Sequence, residues 1–106
     1  MTTGPSASYV SAGQAVVHQG TLTGAGAIAT LTLGFKPSYV EVFNETDVIL
    51  WKKYHTQADA NTVKVTNVVV MTKDTGSAIV INSDGTVSLS ATLAANNKVL
   101  HWLAAA

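Results

Sequence analysis

Three histidines, six carboxylates and six lysines supply most of the acid–base and metal-binding capacity of this 106-residue chain. His18, His55 and His101 are far apart, and none belongs to an HxH or HExxH pattern that would supply two ligands from one segment. Because there is no cysteine, the chain has no thiolate ligand and no disulfide. The spacing therefore predicts no metal site and no cofactor.

The acidic residues closest to one another, Glu45 and Asp47, lie in the short polar segment N-E-T-D, and Glu41 precedes them. Paired carboxylates perform acid–base catalysis when their environments separate their pKa values. A polar turn instead favours solvated side chains, and no serine lies in a GxSxG elbow. We therefore predict no catalytic residue and no enzymatic activity.

The composition narrows the class of partner. The chain is 47% hydrophobic and 11% charged with no net charge, whereas about 25% charged residues is typical of soluble domains. It has no arginine, which disfavours nucleic-acid binding. No run of 18 apolar residues predicts a membrane span, and the first residues do not resemble a signal peptide. We expect a soluble protein whose weak charge repulsion suits an assembly.

Side-chain alternation with a period of two predicts an all-β fold. The clearest examples are "TVSLSATL" and "AIATLTL", and "KVLHWLA" is interpreted as the last strand. In "VKVTNVVVMT" the apolar face changes side, which predicts a bulge or a strand break near Asn67. We predict about eight short strands in a compact antiparallel β-sandwich or small barrel.

Turn residues and composition predict the boundaries. Asp84-Gly85 is a strong hairpin signal, and Asn44 to Asp47 can close a second hairpin. Residues 1–14 consist mainly of Gly, Ser, Thr, Ala and Pro, so we interpret them as a flexible N-terminal arm. Residues 15–106 then form one β-sandwich domain.

The aromatic residues are the candidates for an interaction surface. On "VILWKKY", Trp51 shares a face with Ile49 and Lys53, so it is a core aromatic, an interface anchor or a sugar-stacking platform. One of the two lysines could guard the opposite face or a sheet edge. The possible interface residues are Tyr9, Val10, Trp51, Tyr54 and Trp102.

Three segments together resemble small structural proteins of tailed bacteriophages. They are Gly34-Phe35-x-Pro37-x-Tyr39 before a strand, Asn44-x-Thr46-Asp47 before the strand that holds Trp51, and the closing Leu93 to Trp102. The resemblance covers roughly residues 30 to 106 and is one of pattern, without a catalytic signature.

The resemblance implies a capsid decoration, or cement, protein. Such a protein binds the major capsid protein on the outer surface of the head lattice and stabilises it, often as a homotrimer. It would be found in the host cytoplasm during assembly and then on the virion. The alternatives are a tail, collar or head-fibre component and, in a different class, a carbohydrate-binding β-sandwich module.

Overall fold

The computed structural model describes residues 16–106, which form nine strands and no helix. The all-β prediction is confirmed, with one strand more than the number expected. The strands are β1 Val17–Thr23, β2 Ala29–Thr32, β3 Tyr39–Asn44, β4 Ile49–Tyr54, β5 Thr62–Val65, β6 Met71–Asp74, β7 Ile79–Ile81, β8 Thr86–Leu89 and β9 Val99–Ala105.

Two antiparallel sheets form a sandwich. The larger has six strands in the order β1-β9-β3-β4-β5-β6, and the smaller has three in the order β2-β8-β7. β9 lies between β1 and β3, so the last strand of the chain joins its first described strand to the central hairpin. The predicted arm at residues 1–14, with its interface candidates Tyr9 and Val10, lies outside the described residues.

The core lies between the two sheets. Val40, Val42 and Leu100 face inward from the large sheet and are fully buried. Ile79, Val87 and Leu89 meet them from the small sheet, and the core cluster also contains other apolar side chains, namely Leu31, Leu33, Trp51, Ala78, Leu93, Ala94 and Ala104. The alternation predicted for "AIATLTL" and "TVSLSATL" holds only within β2 and β8, where Leu31, Val87 and Leu89 are buried in this layer. Ala27 and Ala91, which were predicted to continue the two buried faces, lie outside the strands and are exposed, because the chain turns after Leu89.

Turn chemistry ends the strands where the sequence predicts. Gly85 has a φ of 86°, a value that glycine adopts readily. Asp84 Oδ1 accepts hydrogen bonds from the Thr86 hydroxyl at 2.6 Å and the Thr86 amide at 3.1 Å, and these bonds lower the pKa of Asp84. The pattern change near Asn67 is a strand break, because β5 ends at Val65 and β6 begins at Met71.

Candidate functional site

The turn between β3 and β4 is held by its own polar side chains. Asn44 is buried, and its Oδ1 accepts a hydrogen bond from the Asp47 amide at 3.0 Å. The Asn44 side chain therefore shapes this turn through a hydrogen bond to a backbone amide. The Asp47 carboxylate accepts hydrogen bonds from two side-chain donors, the Asn44 amide group at 3.1 Å and Lys98 Nζ at 3.1 Å.

Contacts to β9 use the remaining polar groups of this turn. Glu45 lies 2.6 Å from His101 Nε2, and the Thr46 hydroxyl accepts the Val99 amide at 2.9 Å. These pairs fasten the β3–β4 turn to the start of the last strand, so the carboxylates serve the fold. Within residues 16–106, no cluster of three His or acidic residues could hold a metal ion.

The two adjacent lysines of β4 have different environments. Lys53 is 1% exposed, and its ammonium donates to the carbonyl oxygens of Ala58 at 2.6 Å, Asn61 at 2.6 Å and Asp59 at 3.3 Å. Desolvation by burial lowers the pKa of Lys53, and the nearby charge of Asp59 opposes that shift. Lys53 thus fastens the β4–β5 connection from inside, and Lys52 is the lysine that lies on the opposite face.

Both tryptophans lie on the core side of the large sheet. Trp51 is 3% exposed, and Lys64 Nζ lies 4.8 Å from the centre of its ring. Trp102 is half-buried and packs closely on Gly20, where an added Cβ would lie 3.0 Å from the indole. Neither ring is therefore an open stacking platform. Tyr54 differs, because it is 47% exposed and its ring lies 5.2 Å from that of Tyr39.

The side of the large sheet that faces away from the core carries three rows of four to six side chains, which we call the outer face. Cross-strand partners lie on the same side of a sheet, so the register defines each row. The central row is Gln19, Leu103, Glu41, Lys52, Val63 and Lys73. The row on one side is Thr21, His101, Phe43, Leu50, Val65 and Met71. The row on the other side is Val17, Ala105, Tyr39 and Tyr54.

Apolar and aromatic side chains dominate this outer face, although no described residue forms a layer over it. Phe43, Leu50 and Leu103 are half-buried by their neighbours within the sheet, and Met71 is 72% exposed. A sheet with one face in water normally alternates apolar-in with polar-out. This sheet is apolar on both faces along β3, β4 and β9, as expected for a sheet that is covered on both sides.

The placement of apolar side chains on the outer face is clearest in β5. Its Val63 and Val65 belong to the outer face, whereas Thr62 and Lys64 point toward the core side. In a strand that packs only against the inner core, the valines would be expected to face that core. The reversed arrangement adds two valines to the apolar side chains of the outer face.

Two central side chains give the outer face its charge pattern. Glu41 and Lys52 are direct cross-strand partners at the middle of the six strands. The Tyr39 hydroxyl donates to Glu41 Oε1 at 2.8 Å, and burial, together with this bond and the charge of Glu41, raises the pKa of Tyr39. Tyr39 therefore keeps its proton and holds the Glu41 carboxylate in place.

The tip of the β5–β6 hairpin is a second apolar surface. Val68 is 73% exposed, Val69 84%, Val70 48% and Met71 72%. Val69 has a φ of 59°, which is unfavourable for a β-branched residue. The turn is closed by hydrogen bonds from the Val69 amide to the Thr66 carbonyl at 2.9 Å and from the Thr66 amide to the Val70 carbonyl at 3.2 Å.

Sequence reasoning found only part of these surfaces. Of the interface candidates inside the described range, Tyr54 alone lies on the outer face, while Trp51 and Trp102 face the core. The missed residues are the apolar members of the outer face and the tip. The signal for them was present, because "SYVEVFN" and "DVILWKKY" carry apolar residues at both alternating positions and "VVVM" is four apolar residues in a row.

Comparison with known proteins adds no relative. Neither a protein-family model, nor a curated protein, nor a solved structure matches this chain. No helix that could cross a membrane occurs within residues 16–106. The description of the candidate site therefore rests on this chain alone, and its main feature is apolar side chains on the outer face and at the tip.

Proposed function

We propose that this chain is a non-enzymatic structural protein of a tailed-bacteriophage virion, of the capsid decoration or cement kind. In this role it binds the major capsid protein on the outer surface of the head lattice, as a homo-oligomer. The phage assignment is drawn from the resemblance of Gly34 to Tyr39, Asn44 to Trp51 and Leu93 to Trp102 to such proteins. The observation that carries the binding role is the exposed tip at residues 68–71.

The tip has the properties of a contact element. Four consecutive exposed apolar side chains are costly in water and are normally avoided in a turn unless another molecule covers them. Burial of ~300 Å² of apolar surface there would contribute ~7 kcal/mol before the costs of association. This free energy is modest for the binding of a single copy. Many copies bound to one lattice would gain from avidity, which fits a repetitive partner such as a capsid.

Strain at Val69 supports the same role. A β-branched residue at positive φ costs of order 1–2 kcal/mol, and asparagine would tolerate that backbone better. Keeping valine at the tip therefore favours contact over stability of the isolated chain. Glycan binding is the weaker candidate, because Trp51 is buried and Trp102 is half-buried.

The experiment that tests this proposal is co-sedimentation with purified DNA-filled heads and, separately, with tails. The wild-type chain should sediment with heads, and Val69→Asp should lose that binding. Its circular dichroism spectrum should be kept and its unfolding midpoint should be equal or higher, because aspartate tolerates the positive φ better than valine. The matched control is Ile28→Asp, which makes the same change at a residue 70% exposed in the β1–β2 connection. It should bind heads normally.

Binding to tails and not to heads would replace the capsid assignment with the tail alternative. Loss of binding in both variants would mean that added negative charge, and not the tip, is responsible. A wild-type chain that binds neither particle would refute the proposed function.

A further inference from the structure

We infer that the outer face is a self-association surface, on which a second copy of this chain packs face to face about a two-fold axis. This pairing goes beyond the proposed function and does not rest on it. It differs from the trimer implied by the resemblance, because the outer face complements itself under a two-fold rotation.

The register shows where each side chain would meet its partner. Consider a two-fold axis that lies in the contact plane, parallel to the strands and midway between β3 and β4, the two central strands. The rotation places β3 of one copy over β4 of the other at the same row. Glu41 then faces Lys52 of the second copy, and symmetry repeats this pair, so two opposite-charge contacts form at the centre.

Apolar and aromatic side chains of the inner strands also meet one another. Phe43 faces Leu50 of the second copy, and Tyr39 faces Tyr54 in the same way. One strand farther out, β9 faces β5, so that Leu103 meets Val63. Aligned sheets pack ~10 Å apart at about 30°, a geometry that keeps the central strands opposite each other.

Charge also selects between the possible axes. A two-fold axis in the same plane but perpendicular to the strands, through the central row, would place Glu41 on Glu41 and Lys52 on Lys52. Such like-charge contacts are unfavourable when they are desolvated. Only the axis parallel to the strands joins the central charges as opposite pairs.

The available area is sufficient for a stable contact. Six strands spaced ~4.8 Å apart and on average ~18 Å long cover a plane of ~500 Å². Side-chain relief raises the accessible area above that plane, toward the ~800 Å² per partner of a standard interface. Lys73 lies on the edge strand β6, where its charge can stay hydrated at the rim.

The test uses two charge-reversal variants. Two copies of the same variant should repel each other, whereas one copy of each variant should attract the other. Glu41→Lys presents two lysines at the centre, and Lys52→Glu presents two glutamates. Light scattering of the full chain over a concentration series should show a wild-type dimer, and each variant alone should dimerise at least ~100-fold more weakly because two like-charge contacts form. An equimolar mixture of the variants should restore a one-to-one heterodimer.

Mixing changes no contact within either chain, so restoration cannot come from altered folding. The matched control is Lys36→Glu, an exposed lysine in the β2–β3 connection, which should dimerise like the wild type. Circular dichroism and thermal unfolding of each variant confirm that both are folded before mixing.

A wild-type chain that is monomeric at its highest soluble concentration would overturn the pairing, and so would a trimer or a mixture that fails to associate. If such a monomer binds heads and Glu41→Lys abolishes that binding, the outer face belongs to the lattice instead. A dimer that binds no heads would support the pairing while refuting the proposed function.

Discussion

Trp51→Ala should destabilise the fold much more than Leu50→Ala, although the two residues are neighbours in β4. Trp51 is 3% exposed on the core side, whereas Leu50 is half-buried on the outer face. Burial of ~200 Å² of indole contributes ~5 kcal/mol at ~25 cal/mol per Å². Trp51 Nε1 is buried without a hydrogen-bond partner among the described residues, which offsets that gain by ~1–2 kcal/mol.

The net loss for Trp51→Ala is therefore ~3–4 kcal/mol, within the range for large-to-small core substitutions. Trp51→Phe provides an internal control. It keeps most of the ring area and removes the unpaired N–H, so it should cost no more than ~1 kcal/mol. Leu50→Ala should also cost only ~1 kcal/mol in the monomer, because its side chain is only half-buried by its own chain.

Urea unfolding of dilute protein measures these differences, with Trp102 as the remaining fluorophore in the Trp51 variants. With a slope of ~1–1.5 kcal/mol per M, the Trp51→Ala midpoint should fall by ~2–4 M. Equal losses for Trp51→Ala and Leu50→Ala would refute the assignment of the two sheet faces. A fully stable Trp51→Ala protein that still binds heads but loses a glycan ligand would favour the carbohydrate-binding alternative.

Two further substitutions test local features of the fold by the same unfolding measurement. Lys53→Met should lower the free energy of unfolding by ~2 kcal/mol, because three carbonyl contacts to a charged donor are lost. The control Lys52→Met should change the free energy of unfolding by less than ~0.5 kcal/mol. Equal effects of the two substitutions would contradict the internal role of Lys53. Val48→Asn should raise the free energy of unfolding by ~1 kcal/mol, because Val48 has a φ of 57° and asparagine tolerates that backbone conformation. The control Val17→Asn, on strand β1, should bring no gain in stability. A Val48→Asn protein that is less stable than the wild type would contradict the strain argument.

Local patterns in the sequence predicted the parts of the fold that depend on near neighbours. The strand "KVLHWLA", the Asp84-Gly85 hairpin and the break near Asn67 follow from alternation and turn chemistry, which act over a few residues. The order of the strands in the two sheets could not be predicted from these local patterns. β9 lies between β1 and β3, a pairing between distant segments that no local pattern specifies.

The candidate surfaces required the tertiary structure for a related reason. Alternation places Lys52 and Lys53 on opposite faces of β4, but it does not say which face meets the small sheet. Packing against the small sheet decides which face is buried. As a result, Lys53 donates hydrogen bonds to three carbonyl oxygens and Trp51 belongs to the core. The same choice leaves Phe43, Leu50 and Val65 on the outer face, where the register of six strands joins them into one surface. The sequence by itself determined the alternation and the turns. The small sheet covers only one face of the large sheet, and this packing decided which apolar side chains are core and which remain on the outer face.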